Sequence, residues 1–207
     1  MKRCVIIGGA PINDYEHTKK YITDNDFVIV CDCGLRHIEN LGVAPDLIIG
    51  DFDSHEKPEL DVEIITLPRE KDDTDSFFAV KEALKRNFES FLLLGVIGKR
   101  LDHTLANISI LQYLDRLGKR AVCVDDYSEM EIVSKSALIG DDYKFFSLLA
   151  IDGAASGITI KNALFPLENG EITPSFQYGV SNETIKGSTA SVTVENGSLL
   201  LVKIIKE

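Results

Sequence analysis

Three short segments place carboxylates beside cations or polar donors directly after apolar runs. They are Gly50-Asp51-Phe52-Asp53-Ser54, Lys71-Asp72-Asp73-Thr74-Asp75-Ser76 and Gly98-Lys99-Arg100-Leu101-Asp102-His103. The runs before them, Leu47-Ile48-Ile49, residues 62–67 and Phe91-Leu92-Leu93-Leu94, read as β-strands. Carboxylates are hard donors that suit Mg²⁺, and the planar fork of an arginine suits phosphate oxygens. The combination points to a metal-bound polyphosphate rather than a bare organic ligand. Asp51 and Asp53 are two apart, so a chain that stays extended past its strand would point both carboxylates the same way. Asp32 follows the strand-like run 27–31 and is assigned to the same rim. Asp75 falls in the first turn of a helix with Thr74 as its N-cap. Arg100 offers phosphate donors, and His103 donates from a first helical turn, where backbone N–H groups add partial positive charge. Asp102 reads either as a helix cap or as a partner for a nucleotide's hydroxyls or base. Lys71 and Lys99 are local counter-charges. Each Asp-rich loop taken alone is equally a turn or a cap; their joint placement at several strand ends is what argues for a site.

The elements that must position these loops are legible in the periodicity. Strand candidates at 3–8, 27–31, 47–50, 62–67, 91–95 and 120–125 alternate with helical stripes. One stripe is Phe77, Val80, Leu84 and Phe88; the other is Leu101, Leu105, Ile108, Leu111, Leu114 and Leu117. Alternating β and α predicts an α/β domain over 1–125, with a mostly parallel, Rossmann-like sheet flanked by helices. Ligands of such sheets bind beyond the carboxyl ends of the strands, where the three charged loops lie. Beyond about residue 125 the pattern becomes short β-prone runs punctuated by Gly, Asn, Asp and Pro. Residues 126–207 therefore read as a second, all-β sandwich domain. Asn196-Gly197, between Val192-Thr193-Val194 and Leu199-Leu200, predicts a hairpin.

Composition narrows the function classes. The 207 residues carry a formal net charge of −11, a field that opposes nucleic acid and anionic membranes. It also opposes a nucleotide, so a phosphate site here needs a divalent metal and local Lys or Arg. No apolar run approaches the roughly 18 residues of a membrane span. Met1-Lys2-Arg3 leads straight into Cys4-Val5-Ile6-Ile7, too short for a signal-peptide core. A cytoplasmic location is expected. Cys4, Cys31 and Cys123 sit in apolar runs as reduced thiols do, and Cys31-Asp32-Cys33 lacks the spacing of zinc pairs. His17, His37 and His55 read as structural. Gly8-Gly9-Ala10 makes neither a Gly-x-Gly-x-x-Gly nor a Walker A loop, and there is no Gly-x-Ser-x-Gly elbow and no His-Glu-x-x-His.

Pro45-Asp46-Leu47-Ile48-Ile49-Gly50-Asp51-Phe52-Asp53-Ser54, Lys71-Asp72-Asp73-Thr74-Asp75 and Arg100-Leu101-Asp102-His103-Thr104-Leu105-Ala106-Asn107 together resemble the thiamine pyrophosphokinase family in order and spacing. Val180-Ser181-Asn182-Glu183 resembles that family's second domain, and the resemblance covers nearly the whole chain. It implies transfer of diphosphate from ATP to thiamine's hydroxyl, an ATP-binding catalytic domain over 1–125, a thiamine-binding sandwich over 126–207, and a homodimer with a site shared near the subunit interface. By motif, Asp32, Asp51, Asp53 and Asp75 would hold Mg²⁺. Asp72, Thr74, Arg100, Asp102, His103 and Asn107 would contact ATP, and Ser181 and Asn182 would meet thiamine. Asp53, Asp75 and Arg100 would carry the chemistry, with the general base left open between Asp75 and Asp53. Two departures stand out: Asp32-Cys33-Gly34-Leu35 replaces the family's Asp-Gly-Gly-Ala, and Lys99 stands where glycine is common. The chain has no Trp, which leaves Phe176 and Tyr178 as the candidates for stacking on thiamine. The alternatives are a diphosphokinase for another alcohol such as a hydroxymethylpterin, a non-catalytic nucleotide- or thiamine-binding protein, and a metal-dependent hydrolase using the same carboxylates.

Overall fold

The computed structural model of the chain describes residues 2–52, 60–68, 70 and 72–205. They divide into two compact units, 1–126 and 127–207.

The first unit is built on β1 (Arg3–Ile7), β2 (Phe27–Cys31), β3 (Leu47–Gly50), β4 (Glu63–Thr66), β5 (Ser90–Leu94) and β6 (Arg120–Val124). Their order in the sheet is β4-β3-β2-β1-β5-β6, and every pair is parallel. The central strands are nearly unbroken Val, Ile and Leu because both faces are covered, as parallel sheets require. On one face Val5, Ile7, Val28, Val30, Leu92 and Leu94 form a cluster with Ile12 and Leu41. This face carries the short helices α1 (Tyr15–Thr18) and α2 (Ile38–Leu41). Cys4, Ile6, Ile29 and Leu93, of opposite parity, are equally buried. The longer helices are α3 (Asp75–Lys85), which packs over β1, β2 and β3, and α4 (Leu101–Arg116), which packs on β6.

Thr74 caps α3, its Oγ1 accepting the Phe77 N–H at 3.2 Å. The cap expected at Asp102 is not there. The cap position falls two residues earlier, at Arg100, with no side-chain cap bond, and α4 begins at Leu101. The leucine stripe assigned to α4 also needs correcting. Leu111 and Leu114 are buried, but Leu101 and Leu105 are 66% and 56% exposed. In the first turns of α4 this side is exposed; Asn107 is buried against the Val96 carbonyl.

The second unit has strands β7 (Ser128–Val133), β8 (Ser136–Ile139), β9 (Phe145–Leu149), β10 (Ala155–Lys161), β11 (Leu167–Ile172), β12 (Ala190–Thr193) and β13 (Leu199–Ile204). β7, β13 and β9 pair antiparallel in one sheet; β11, β10, β12 and β8 form the other. Phe146, Leu148, Leu199 and Leu201 from the first pack with Ile139, Ile158, Ile160 and Val192 from the second. The expected hairpin at Asn196-Gly197 is instead a crossing between sheets, since β12 and β13 belong to different ones. Gly197 does take the positive φ that the dipeptide foretold, 80°. Its turn closes on Ser156, whose carbonyl accepts the Asn196 N–H at 3.1 Å, and not on a sister strand. No helix among the described residues is long and apolar enough to cross a membrane.

Candidate active site

A cleft of about 440 Å³ opens at the carboxyl ends of the parallel strands. It lies where the order of the sheet turns back, between β1 and β5, a position at which the loops on either side diverge and leave a crevice. Asp51, Thr74, Asp75, Lys99, Arg100, His103 and Asn107 all line it, so residues from three separate loops do converge.

Local geometry explains how. Gly8 and Gly95 end the two central strands and pass so closely that a Cβ on either would lie 2.6 Å from the other's carbonyl oxygen. The Ala10 N–H then donates to the Gly95 carbonyl at 2.7 Å. Asn107, buried in the second turn of α4, donates to the Val96 carbonyl at 2.7 Å. Thr104 Oγ1 accepts the Gly98 N–H at 3.1 Å. These bonds hold the loop of Lys99 and Arg100 against its own helix. Thr74 and Asp75 begin α3, and Arg100 precedes α4, so two long helices start at the cleft. The positive end of each helix favours an anion there, α3 with its Phe77 N–H already capped by Thr74 and α4 with no side-chain cap.

The carboxylates are placed unevenly. Asp51 and Asp75 line the cleft. Asp32 is buried at 4% exposure and begins the 3-10 segment Asp32–His37. It lies against Gly50, where a Cβ would come within 2.6 Å of the Asp32 Cβ. It therefore sits beside the end of β3 rather than on the cleft wall. The extended path expected from Asp51 to Asp53 breaks at Phe52, whose φ is 52°, so the alternation argument for that pair fails. Asp53 and Lys71 lie outside the described residues. Among the described residues no three His, Cys, Asp or Glu side chains are grouped closely enough to hold a metal by themselves.

Arg100 and Asp102 form a forked pair, with Nε to Oδ1 at 3.0 Å and Nη2 to Oδ2 at 2.6 Å. These hydrogen bonds hold the Asp102 carboxyl down to about 2. Both side chains are largely in solvent, so the pair is easily exchanged for another anion. Asp72 and Asp102 are exposed and outside the cleft lining.

Ser181 and Asn182 belong to the second unit. There the segment 177–182 runs along the free edge of β9. Gln177 donates to the Ala150 carbonyl at 2.7 Å, Leu148 N–H to Gly179 at 2.8 Å, and Phe146 and Asn182 exchange two bonds of 2.8 Å. Ser181 is exposed, with φ 57°. The Asn182 amide is buried and engaged, donating to the Phe165 carbonyl at 2.7 Å and accepting the Phe165 and Glu183 N–H groups at 3.0 and 2.9 Å. It shapes the loop. Phe176 and Tyr178 are exposed on the same segment, with ring centroids 5.2 Å apart.

Several lining residues were not singled out from the sequence: Gly8 to Pro11, Cys33, Arg36 and Gly95-Val96. Gly8-Gly9 was set aside because it matches no phosphate-loop pattern. The signal that finds it is positional, two glycines directly after the central strand.

Residues 18–123 match the family model described as "Thiamin pyrophosphokinase, catalytic domain", and residues 130–199 match "Thiamin pyrophosphokinase, vitamin B1 binding domain". The chain is 24% identical over 212 residues to the thiamine pyrophosphokinase of Bacillus subtilis, covering 98% of this chain and 99% of that one. A crystal structure of thiamine pyrophosphokinase from B. subtilis superposes with a TM-score of 0.87 at 22% identity over 100% of both chains. One from Geobacillus thermodenitrificans gives 0.85 at 23% identity over 99% of this chain and 98% of that one. The yeast structure gives 0.80 at 15%, covering 98% and 86%. These structural likenesses are likenesses of fold.

Proposed function

The chain belongs to the thiamin pyrophosphokinase family, and from that premise we infer that it makes thiamine diphosphate from thiamine and ATP. The observation that carries the reading is the convergence of Asp51, Thr74, Asp75, Arg100, His103 and Asn107, from three separate loops, on one cleft.

The reaction forms a bond from thiamine's hydroxyl oxygen to the β-phosphorus of ATP and breaks the bond from that phosphorus to the α–β bridging oxygen. AMP leaves and the hydroxyl proton passes to a base. Little covalent work falls to the protein, which must position the groups and neutralise charge. In this reading ATP occupies the cleft in a Rossmann-like manner, its polyphosphate facing the starts of α3 and α4. Arg100 exchanges Asp102 for phosphate oxygens, and His103 donates from the first turn of α4. The proton acceptor is Asp75 or Asp53.

A divalent metal fits the donor set. Asp51 and Asp75 are hard oxygen donors on one cleft, and Asp32 lies against Gly50, the residue before Asp51. Mg²⁺ typically takes one or two carboxylates and completes its shell with water and substrate phosphates, which agrees with a site that the described residues alone do not close. Bound there, Mg²⁺ would supply charge neutralisation along the polyphosphate.

Thiamine is assigned to the second unit, with Ser181 and the exposed pair Phe176 and Tyr178 as its contacts. We also propose a homodimer with that site near the subunit interface. Light scattering at micromolar concentration should report twice the chain mass; a fully active monomer would remove this part of the reading. The work is placed in the cytoplasm, where ATP is abundant and the four free cysteines stay reduced. Given thiamine and ATP, the protein should release AMP. AMP formed with a hydroxymethylpterin but not with thiamine would favour the other alcohol.

A further inference from the structure

His37 is 2% exposed and stands behind the cleft wall, outside the residues that line it. Its Nε2 lies 3.0 Å from the Ala10 carbonyl, and its Nδ1 lies 2.7 Å from the Tyr15 hydroxyl. A carbonyl can only accept, so Nε2 carries the proton and Nδ1 accepts the Tyr15 O–H. Burial, with Arg36 adjacent, pushes the imidazole below its ordinary value, which keeps this neutral tautomer at neutral pH.

The carbonyl that His37 holds is in the middle of the cleft loop. Ala10 and Pro11 line the cleft, and both lie 3.0 Å from where a Gly98 Cβ would stand. Gly98 begins the loop that carries Lys99 and Arg100. The farther end of the first loop is fixed separately, by Asp126 accepting the Asn13 and Asp14 N–H groups at 3.0–3.1 Å. At its cleft end the loop is bonded by the His37 side chain. Displacing Ala10 moves the surface against which the arginine loop rests.

We propose that His37 is a positioning residue for the ATP half of the reaction. It fixes the Ala10 carbonyl, and through Ala10 and Pro11 it sets where the Gly98–Arg100 loop meets the polyphosphate. This rests on the assignment of ATP to the cleft. Glutamine can place an amide N–H near the Nε2 position, whereas asparagine reaches only near Nδ1, so the two variants separate positioning from simple filling of space.

The experiment compares His37→Leu, His37→Gln and His37→Asn by steady-state kinetics in both substrates. Calorimetric binding of a non-hydrolysable Mg²⁺–ATP analogue is measured alongside. His37→Leu should lower kcat/KM for ATP and analogue affinity by about tenfold, the effect of one lost buried hydrogen bond. The KM for thiamine should stay within about twofold, since that ligand is not held by this loop. His37→Gln should recover most of the loss and His37→Asn little of it. If His37→Leu does not fold, Tyr15→Phe, which removes the partner of Nδ1, should shift ATP in the same direction by a few-fold. Unchanged ATP parameters, or equal losses for both substrates with Gln no better than Asn, would overturn the proposal. If the unaltered protein binds the analogue but transfers nothing to thiamine, the family reaction fails while the calorimetric comparison still decides the role of His37. Failure of the unaltered protein to bind the analogue would overturn the proposal as well.

Discussion

Asp75→Asn is expected to lower diphosphate transfer by at least about a hundredfold at saturating Mg²⁺, the scale seen when one group that stabilises developing charge is removed. Asn keeps the shape of Asp and removes its charge, so a loss reports the charge and not the packing. The fold should tolerate the change. Asp75 lies in the first turn of α3, where a carboxylate favours the helix dipole by about 0.3–1 kcal/mol. Thr74, which supplies the cap bond to Phe77, is untouched. The thermal midpoint should therefore fall by only a few degrees. Asp51→Asn, in the same cleft, should behave alike. Either variant retaining near-normal turnover would remove that residue from the metal and phosphate assignment.

Lys203→Met is expected to destabilise the protein by about 3–5 kcal/mol, because it leaves the buried Glu129 carboxylate, with the partly exposed Glu131 beside it, without a counter-charge. Lys203 Nζ sits 2.7 Å from Glu129 Oε2 and 3.0 Å from Glu131 Oε1. The Lys203 and Glu129 side chains are only 10% and 11% exposed. Strand register explains the burial. Lys203 pairs with Glu129, and Leu201 with Glu131, on the face of β13 and β7 that carries Leu199 and Val133 into the sandwich core. The Tyr143 hydroxyl donates to Glu129 at 2.8 Å and closes the cluster. Burial opposes the Lys203 charge, yet the Glu129 hydrogen bond and the Glu131 charge outweigh it and hold the ammonium above the ordinary lysine value. Burial and the Glu129 bond push the Tyr143 phenol up to about 12.

A raised pKa fixes the sign of the pH dependence. The contribution of Lys203 is complete below the unfolded value of about 10.4 and is lost as pH rises through the higher folded value. In Lys203→Met the stranded carboxylates should take up protons more readily when folded, so the deficit narrows as pH falls. Urea unfolding followed by circular dichroism tests both statements. A variant within about 1 kcal/mol of the parent at neutral pH would show that the cluster is not buried in solution.

The scaffold was legible where one face or both faces of an element are buried. β1, β2, β3 and β5 fall where their apolar runs lie, because a strand covered on both sides has few polar positions to blur its limits; β4 and β6 are only partly covered and were read from their Ile and Val residues. The helix after Thr74 was legible from its cap and stripe. The cap of α4 was not, because Asp102 is a capping residue type whose carboxylate here pairs with the Arg100 guanidinium inside the first turn. β8 and β11 carry no clear alternation in the sequence, because Leu138 and most of Leu167–Ile172 are not buried. Asn196-Gly197 announced a turn correctly, but a turn residue does not say which sheet receives the next strand.

In the site, sequence order found the residues that bear charge and missed those that bear shape. Gly8-Gly9 and the Ala10 carbonyl act through backbone position, which no side-chain pattern records. His37 looked structural because its partners, Ala10 and Tyr15, lie more than twenty residues away in sequence. Asn182, expected from the sequence as a ligand contact, also has a role that its position in the sequence does not announce: its amide bonds Phe165 and Glu183 and shapes the loop.

The central claim is that two phosphoryl groups move together from ATP to thiamine. It is tested most directly by following label position in the products. With ATP labelled at the β-phosphorus, the label should appear in thiamine diphosphate; with γ-labelled ATP it should appear there too, and AMP should form in equal amount. ADP with thiamine monophosphate would show single phosphoryl transfer, and free phosphate with thiamine unchanged would show hydrolysis. Either result would contradict the account.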